Sequence, residues 1–295
     1  MRGAKPEASI EQSIERDGVI RSRDRIALAC SGGADSVALV HALASLRKPM
    51  QLELTLAHVN HGTRESAWQD ECVVLRIGAT FGLAVRVAVL DGDRHDEAAL
   101  REGRYEALAE MARAAGANVV ATAHHQEDQS ETVLLALLRG AGPDGLAGMR
   151  ARRPLVPGID VARPLLRIAA DDLRRLCHMH ALPYAVDPTN EDRGLRRNAL
   201  RAALEALRPL FPGLDGAVAR TADLLAEEMA GTQRADLRRE VRAALAAQEG
   251  LRDVDFVHVE AAVRAIERGA SGRFHMKKGV EMQIEHGVIV RTDEL

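Results

Sequence analysis

Ile26-Ala27-Leu28-Ala29-Cys30-Ser31-Gly32-Gly33-Ala34-Asp35-Ser36 is the stretch on which the reading of this chain turns. Residues 26–30 form a short apolar run of strand length, and residues 36–46 read as a helix. Between them lies a turn built on two glycines. Gly32 and Gly33 let the backbone bend tightly and bring its N–H groups close to an anion. The N-terminus of the following helix adds partial positive charge. Ser31 and Ser36 add hydroxyls, and Ala34 completes the loop. Asp35 would repel a bare phosphate, so its presence implies a magnesium ion between it and the phosphates. The bland alternative is an N-capped turn with Asp35 and Ser36 as the caps.

Working outward, the same pattern repeats. Residues 52–59, 84–90 and 119–123 read as strands. Residues 67–81, 97–115 and 128–139 read as the helices that follow them. Strands alternating with helices of this length imply βαβ units and a parallel sheet. Such sheets bind ligands beyond the carboxyl ends of their strands, so the residues just after each strand are the ones to inspect. Residues 140–157 are rich in Gly, Pro and Arg and read as a mobile loop. Residues 168–180 and 197–207 suggest helices. The PLFPG segment at 209–213 is a plausible hinge, and 214–248 is almost continuously helical in pattern. A further helix at 256–268 and a hairpin around His286-Gly287 complete the chain. The expected organisation is an α/β domain over 1–212, with a doubly wound parallel sheet, and a smaller, mainly helical domain over 213–295.

Composition narrows the class. Of 295 residues, 46% are hydrophobic and 28% charged, as in ordinary globular proteins, which excludes a disordered chain. No stretch approaches the ~18–20 apolar residues of a membrane span. Residues 1–18 lack the apolar core of a secretory signal, so a cytoplasmic protein with no membrane partner is expected. Cys30, Cys72 and Cys177 are widely separated, with no CxxC pair, so neither a disulfide framework nor a Cys-based metal site is indicated. The net charge of −3 hides a local excess. From Arg139 to Arg208 there are thirteen arginines against eight acids. Arginine suits bidentate phosphate contacts. Aromatic residues are only 2%, which argues against a base-stacking platform.

Two further strings follow strands. Ala57-His58-Val59-Asn60-His61-Gly62-Thr63-Arg64 follows the second, and Ala121-Thr122-Ala123-His124-His125-Gln126-Glu127-Asp128-Gln129-Ser130-Glu131-Thr132 follows the fourth. Asp128, Glu131 and Thr132, at i, i+3 and i+4, share one helix face. The SGGADS loop resembles the PP-loop of ATP pyrophosphatases, which cleave ATP between its α- and β-phosphates and adenylate an oxygen. With the AHVNHGTR and HHQEDQSETVLLALLRGAG strings, Arg163-Pro164-Leu165-Leu166, Asp187-Pro188-Thr189-Asn190 and Arg197-Asn198-Ala199-Leu200-Arg201, residues 25–205 resemble the tRNA(Ile)-lysidine synthase family. Glu127 departs from the family's usual Asp, Thr63 from Leu, Thr189 from Ser and Cys30 from Val. Glu127 thereby weakens any paired-Asp magnesium site at that point.

The resemblance implies roles residue by residue. Ser31, Gly32, Gly33, Ala34, Asp35 and Ser36 would bind ATP, with Ala57, His58 and His61 shaping the nucleotide pocket. Asp35 and Asp128 would hold magnesium. His125 and Asp128 would sit near the reacting phosphates, and Arg197 near the adenylate or the leaving pyrophosphate. Arg64, Arg139, Arg150, Arg152, Arg153 and Arg201 are candidate tRNA contacts, with a solvated surface as the alternative for the 150–153 run and a salt-bridged helix surface for Arg201.

The activity implied is that of a carbon–nitrogen ligase. ATP adenylates the 2-carbonyl oxygen of the wobble cytidine of an isoleucine tRNA with a CAU anticodon. The ε-amino group of free L-lysine then attacks that carbon and expels AMP. The lysine must first lose a proton, and Glu131 and Asp128 are candidates for the acceptor or for lysine binding. Family members are often dimers, which makes a homodimer an expectation. Three other readings stand beside this one: another PP-loop enzyme such as a tRNA thiolase, with Cys30 as nucleophile; a metal hydrolase with two or three of His58, His61, His124 and His125 as ligands alongside Asp128; and a nonenzymatic RNA binder.

Overall fold

Strand β1 (Arg25–Ala29) shows why the first domain has two helical layers. Ile26 and Leu28 point into one apolar cluster and Ala27 into another. This is the period-2 alternation of a strand covered on both faces. In a computed structural model that describes residues 6–60, 67–90, 97–185, 195–246, 256–277 and 280–294, β1 lies near the middle of a six-stranded sheet of order β3-β2-β1-β4-β6-β5. Its neighbours are β2 (Glu53–Asn60) and β4 (Val119–Ala121), both parallel to it. Strand β3 (Ala84–Val89) extends the sheet beyond β2, and β6 (Ile159–Ala162) extends it beyond β4, again in parallel. Only β5 (Arg152–Val156), on the far edge, is antiparallel.

The helices alternate as expected. Helix α1 is Pro6–Asp17, α2 Ala34–Leu46, α3 Ala67–Phe81, α4 Glu97–Ala114 and α5 Gln126–Leu138. After the one-turn α6 (Pro143–Leu146) and the β5–β6 hairpin come α7 (Ala170–Met179) and α8 (Leu195–Leu207). Ile10, Ile14, Val37, Leu39, Leu43, Ile77, Leu173 and Leu176 bury one sheet face. Tyr105, Leu108, Met111 and Ala112 of α4 bury the other. Each fully buried Leu or Ile contributes roughly 1.5–3 kcal/mol by leaving water. Order reverses at β1: the chain moves outward through β2 and β3, then returns to β4 on its other side. The crevice above β1 and β4 is therefore the topological switch point of the sheet.

The hairpin corrects the mobile-loop reading of 140–157. Arg152 and Arg153 begin a strand, paired with Ala162 and Val161. Pro154 sits on the edge strand, where a missing N–H costs nothing. Residues 148–149 are also held: the Gln129 side chain donates to the Met149 carbonyl at 3.1 Å and accepts its N–H at 2.8 Å.

By internal contacts the chain divides into two compact units, Met1–Ala141 with Gly148–Arg220, and Gly142–Ala147 with Thr221–Leu295. The division falls inside α9 (Leu214–Met229). The second unit contains α10 (Gln233–Ala246), α11 (Phe256–Glu267) and a three-stranded antiparallel sheet of β7 (Gly272–Lys277), β8 (Val280–Glu285) and β9 (Val288–Glu294). The expected continuous helix over 214–248 is interrupted at Gly231, whose φ of +58° suits glycine and ends the helical run. The expected hairpin is present, with β7 added to it. Val241, Leu245, Val259, Val263, Met276, Met282 and Ile284 form the core of this unit. Among the described residues no helix is long and apolar enough to cross a membrane.

Candidate active site

The loop after β1 opens α2 without a side-chain cap. Gly33 is the N-cap residue, in extended conformation, and no side chain caps the helix. Asp35 and Ser36 therefore do not act as caps, which sets aside the bland reading of this turn. Ser36 instead donates to the Gly33 carbonyl at 2.8 Å, and Ser31 donates to Ser36 at 3.3 Å. The first intrahelical bond runs from Val37 to Gly33, which leaves the N–H groups of Ala34, Asp35 and Ser36 without helical acceptors. Gly32 has a φ of +91°, and a Cβ there would lie 3.2 Å from the Asp70 carbonyl. The positive φ calls for glycine, and the close approach of Asp70 adds to the cost of a side chain there.

His58 pins this loop from the side. It is buried, and its Nδ1 lies 2.8 Å from the Cys30 carbonyl. Cys30 in turn donates its N–H to the Ala57 carbonyl at 3.0 Å. Ala57 and His58 thus hold the backbone that feeds the loop. His61 and Arg64 lie outside the described residues.

The segment after β4 meets the loop at the switch point. His125 Nε2 lies 3.5 Å from Asp35 Oδ2 and 3.5 Å from Asp128 Oδ2. Its Nδ1 lies 3.0 Å from Glu127 Oε2. Burial works against a charge on this ring, but the bonds to Asp35 and Glu127 and the charge of Asp128 outweigh it, and the pKa rises to about 10. His124 is the opposite case. Burial pulls its pKa down to about 3, against the opposing charge of Asp128. Asp128 also accepts the His125 backbone N–H at 3.2 Å, so it closes the first turn of α5.

Two carboxylates from different elements therefore converge on one point that already favours a cation. Asp35 Oδ1 is buried and has no hydrogen-bond partner among the described residues. Magnesium takes one or two carboxylates and completes its shell with water and phosphate oxygens, so this donor set fits it. Among the described residues no group of three or more His, Cys, Asp or Glu side chains could hold a metal alone. His58, His124 and His125 each have a separate partner and do not converge, which is not the arrangement a His-ligated hydrolase needs.

Glu127 does something the sequence did not reveal. Its oxygens accept the Ala170 N–H at 3.0 and 3.2 Å, at the N-terminus of α7, while Oε2 also holds His125. No side chain of residue 169 caps that helix, and the carboxylate fills the role. Glu131 is buried and receives Arg197 Nε at 3.1 Å and Arg201 Nε at 2.6 Å. Arg201 also lies 4.0 Å from Asp128. Asp128, Glu131, Arg197 and Arg201 thus form one cluster between α5 and α8.

The remaining arginines do not join it. Arg152 donates to Asp160 at 2.8 Å and to Asp24 at 2.8 Å, which commits its guanidinium to the amino ends of β6 and β1. Arg153 bonds the Pro154 carbonyl, Arg139 closes the C-terminal end of α5, and Arg150 is exposed. Cys30 is buried, and burial pushes its thiol up; the Cys177 thiol is likewise pushed up to about 11. Neither is a ready thiolate.

The PP-loop domain family ATP_bind_3 matches residues 5–207. Over 235 residues the chain is 42% identical to the tRNA(Ile)-lysidine synthase of Salinispora tropica, covering 77% of this chain and 70% of that protein. The chain belongs to the tRNA(Ile)-lysidine synthase family of PP-loop proteins. It is 39% identical over 260 residues to the tRNA(Ile)-lysidine synthase of Ralstonia nicotianae, covering 84% of this chain and 55% of that protein. The chain thus spans little more than half of that relative's length. The U34-tRNA thiolase NcsA of Methanococcus maripaludis, with its [4Fe-4S] cluster, shares the fold at a TM-score of 0.64 and 17% identity, over 75% of this chain and 78% of that one. Membership in the lysidine synthase family agrees with the sequence resemblance and with the mostly parallel sheet.

Proposed function

We propose that this chain ligates L-lysine to the 2-carbon of the wobble cytidine in an isoleucine tRNA with a CAU anticodon, at the expense of ATP. The observation that carries the proposal is the convergence of Asp35, Asp128 and His125 beside an uncapped helix N-terminus. That arrangement suits ATP cleavage, and the family membership supports the acceptor. The N–H groups of Ala34, Asp35 and Ser36, with the Ser31 and Ser36 hydroxyls, bind the phosphates of ATP. Asp35 and Asp128 hold magnesium, which when bound offsets the charge of the polyphosphate. Protonated His125 stabilises negative charge at the same point. The 2-carbonyl oxygen of the cytosine attacks the α-phosphate, pyrophosphate leaves, and the oxygen becomes a good leaving group as AMP. The ε-amino group of lysine, once deprotonated, attacks the 2-carbon. Asp128 and Glu131, which share one face of α5, are the candidates for the acceptor of that proton or for lysine binding. Arg197, held by Glu131, steadies the adenylate.

The proposal extends to a cytoplasmic enzyme whose residues 213–295 help hold the tRNA, with Arg139, Arg150 and Arg153 as phosphate contacts. A homodimer is its assembly, to be read by light scattering. The test is pyrophosphate release and incorporation of radiolabelled L-lysine with purified protein, magnesium, ATP and the CAU tRNA transcript. Incorporation that needs both ATP and that tRNA is expected. Pyrophosphate release without transfer would reject the acceptor, and no ATP cleavage with several tRNAs would reject the enzyme.

A further inference from the structure

The carbonyls of the loop after β1 are all held by donors from within the protein. The Gly33 carbonyl accepts the Ser36 hydroxyl at 2.8 Å and the Val37 N–H at 3.0 Å. The Gly32 carbonyl accepts the Ala185 N–H at 2.9 Å, and the Ala34 carbonyl accepts the Cys177 thiol at 3.4 Å. The last two donors come from one distant stretch, α7 and the chain that leaves it. Cys177 is 143 residues from Ala34 along the sequence.

That stretch is anchored at three points. At its start, Glu127 accepts the Ala170 N–H at 3.0 and 3.2 Å. Near the end of α7, Cys177 reaches Ala34, and beyond it Ala185 reaches Gly32. Glu127 also holds His125 Nδ1 at 3.0 Å, and His125 Nε2 lies 3.5 Å from Asp35 of the same loop. The contacts close a circuit: loop, α7, Glu127, His125 and back to the loop. A shift of the loop relative to His125 therefore pulls on the anchors of α7.

Packing alone does not call for a thiol here. Cys177 is 0% exposed and belongs to the apolar cluster that includes Leu173 and Leu176. An aliphatic side chain of similar size would fill the same space, but it would have no hydrogen to give the loop. The loop carbonyls matter because a carbonyl turned toward a polyphosphate sets negative charge against negative charge, whereas N–H groups attract it.

We propose that α7 is a brace for the phosphate loop and that Cys177 is a positioning residue, whose thiol holds the Ala34 carbonyl so that the loop presents its N–H groups to ATP. This role rests on the ATP reading above and adds the element that sets the geometry of the loop.

The test compares two substitutions of opposite chemistry. Cys177→Ser keeps a donor, and Cys177→Val keeps apolar bulk. A thiol that only packs would be replaced better by valine than by serine. A thiol that positions the loop would show the reverse at the loop. The Kd for ATP by equilibrium dialysis, and the KM for ATP in pyrophosphate release, should rise about three- to tenfold in Cys177→Val, as for one lost hydrogen bond. Both should stay within about twofold of native in Cys177→Ser. The KM for tRNA should stay within about twofold in either variant. Urea unfolding should rank the two the other way, with Cys177→Ser the less stable. Cys177→Ala, which also lacks the donor, takes the place of valine if that variant does not fold. Native ATP affinity in the valine variant overturns the brace, and so do equal losses in both variants. If the native protein binds no ATP, the functional reading fails by itself. Amide hydrogen exchange then decides the brace: faster exchange at residues 33–36 in Cys177→Val and native exchange in Cys177→Ser uphold it, and any other pattern overturns it.

Discussion

Burial strips His124 of its proton, while three carboxylates keep one on His125. The two rings are chain neighbours, so the contrast can be read in one experiment. NMR of the imidazoles should show His125 still protonated at pH 8 and His124 neutral at pH 5. Asp35→Asn should lower the pKa of His125 and leave His124 where it is; a His125 that titrates near its ordinary value would remove the carboxylate cage. The two groups act on stability with opposite signs. The stability contributed by His125 is full below about pH 6.5 and is lost as the pH rises through about 10. That contributed by a neutral His124 is present above about pH 6.5 and is lost as the pH falls toward 3. Asp35 is also the sharpest probe of chemistry. Asp35→Ala removes the orphaned Oδ1, and turnover should fall by roughly 100-fold or more while tRNA affinity is retained. A variant with native turnover would end the phosphate-site reading.

At the scale of elements, α5 is the member that ties the site together. Glu131 holds two arginines of α8, and Glu127 holds the first turn of α7. Glu131→Leu leaves two guanidinium groups without their carboxylate. Both retain some solvent, so the cost should be ~2–3 kcal/mol, below the range for a fully buried pair. Urea unfolding measures it, and a change under about 0.5 kcal/mol would mean the cluster relaxes freely. Gly148→Ala probes the same helix. Gly148 has a φ of +64°, and a Cβ would meet Gln129 and Val133 at 2.8–2.9 Å. The variant should lose the Gln129 clamp and unfold at lower urea.

Elements set by local pattern were legible in the sequence. β1, α2, β2, β4 and α5 follow apolar runs and a glycine turn, and the phosphate loop is one contiguous string. Three strands were hidden. β5 reads Arg-Arg-Pro-Leu-Val, whose charges and proline mask an edge strand, β6 is only four residues long, and β7 was lost among polar residues. The partners that shape the site were hidden for a different reason. Glu127 with Ala170 and Glu131 with Arg197 are 43 and 66 residues apart, and no local pattern encodes such distances.

At the scale of the whole molecule, the two units are stabilised by different means. The first buries two apolar layers against a sheet. The second has a smaller apolar core and a dense ion network. Arg238, whose side chain is 4% exposed, bonds both Glu260 and Glu227. Arg234 adds bonds to Glu260 at 2.7 Å and Glu267 at 2.8 Å. Burial opposes the charge on Glu260, but Arg238 and Arg234 outweigh it and hold its carboxyl below the usual range. Removing Arg238 leaves a buried carboxylate with one partner fewer. Arg238→Met should therefore destabilise the second unit by about 3 kcal/mol. The first unit contains none of these groups, so its unfolding should be unchanged, and calorimetry should show one transition moving alone. The same variant tests the division of labour proposed for the chain. If residues 213–295 help hold the tRNA, loosening their unit raises the KM for tRNA while the KM for ATP stays fixed. An unchanged KM for tRNA in a protein whose second unit has measurably loosened would assign tRNA binding to the first unit alone, and the arginines of residues 139–153 would then be the place to look.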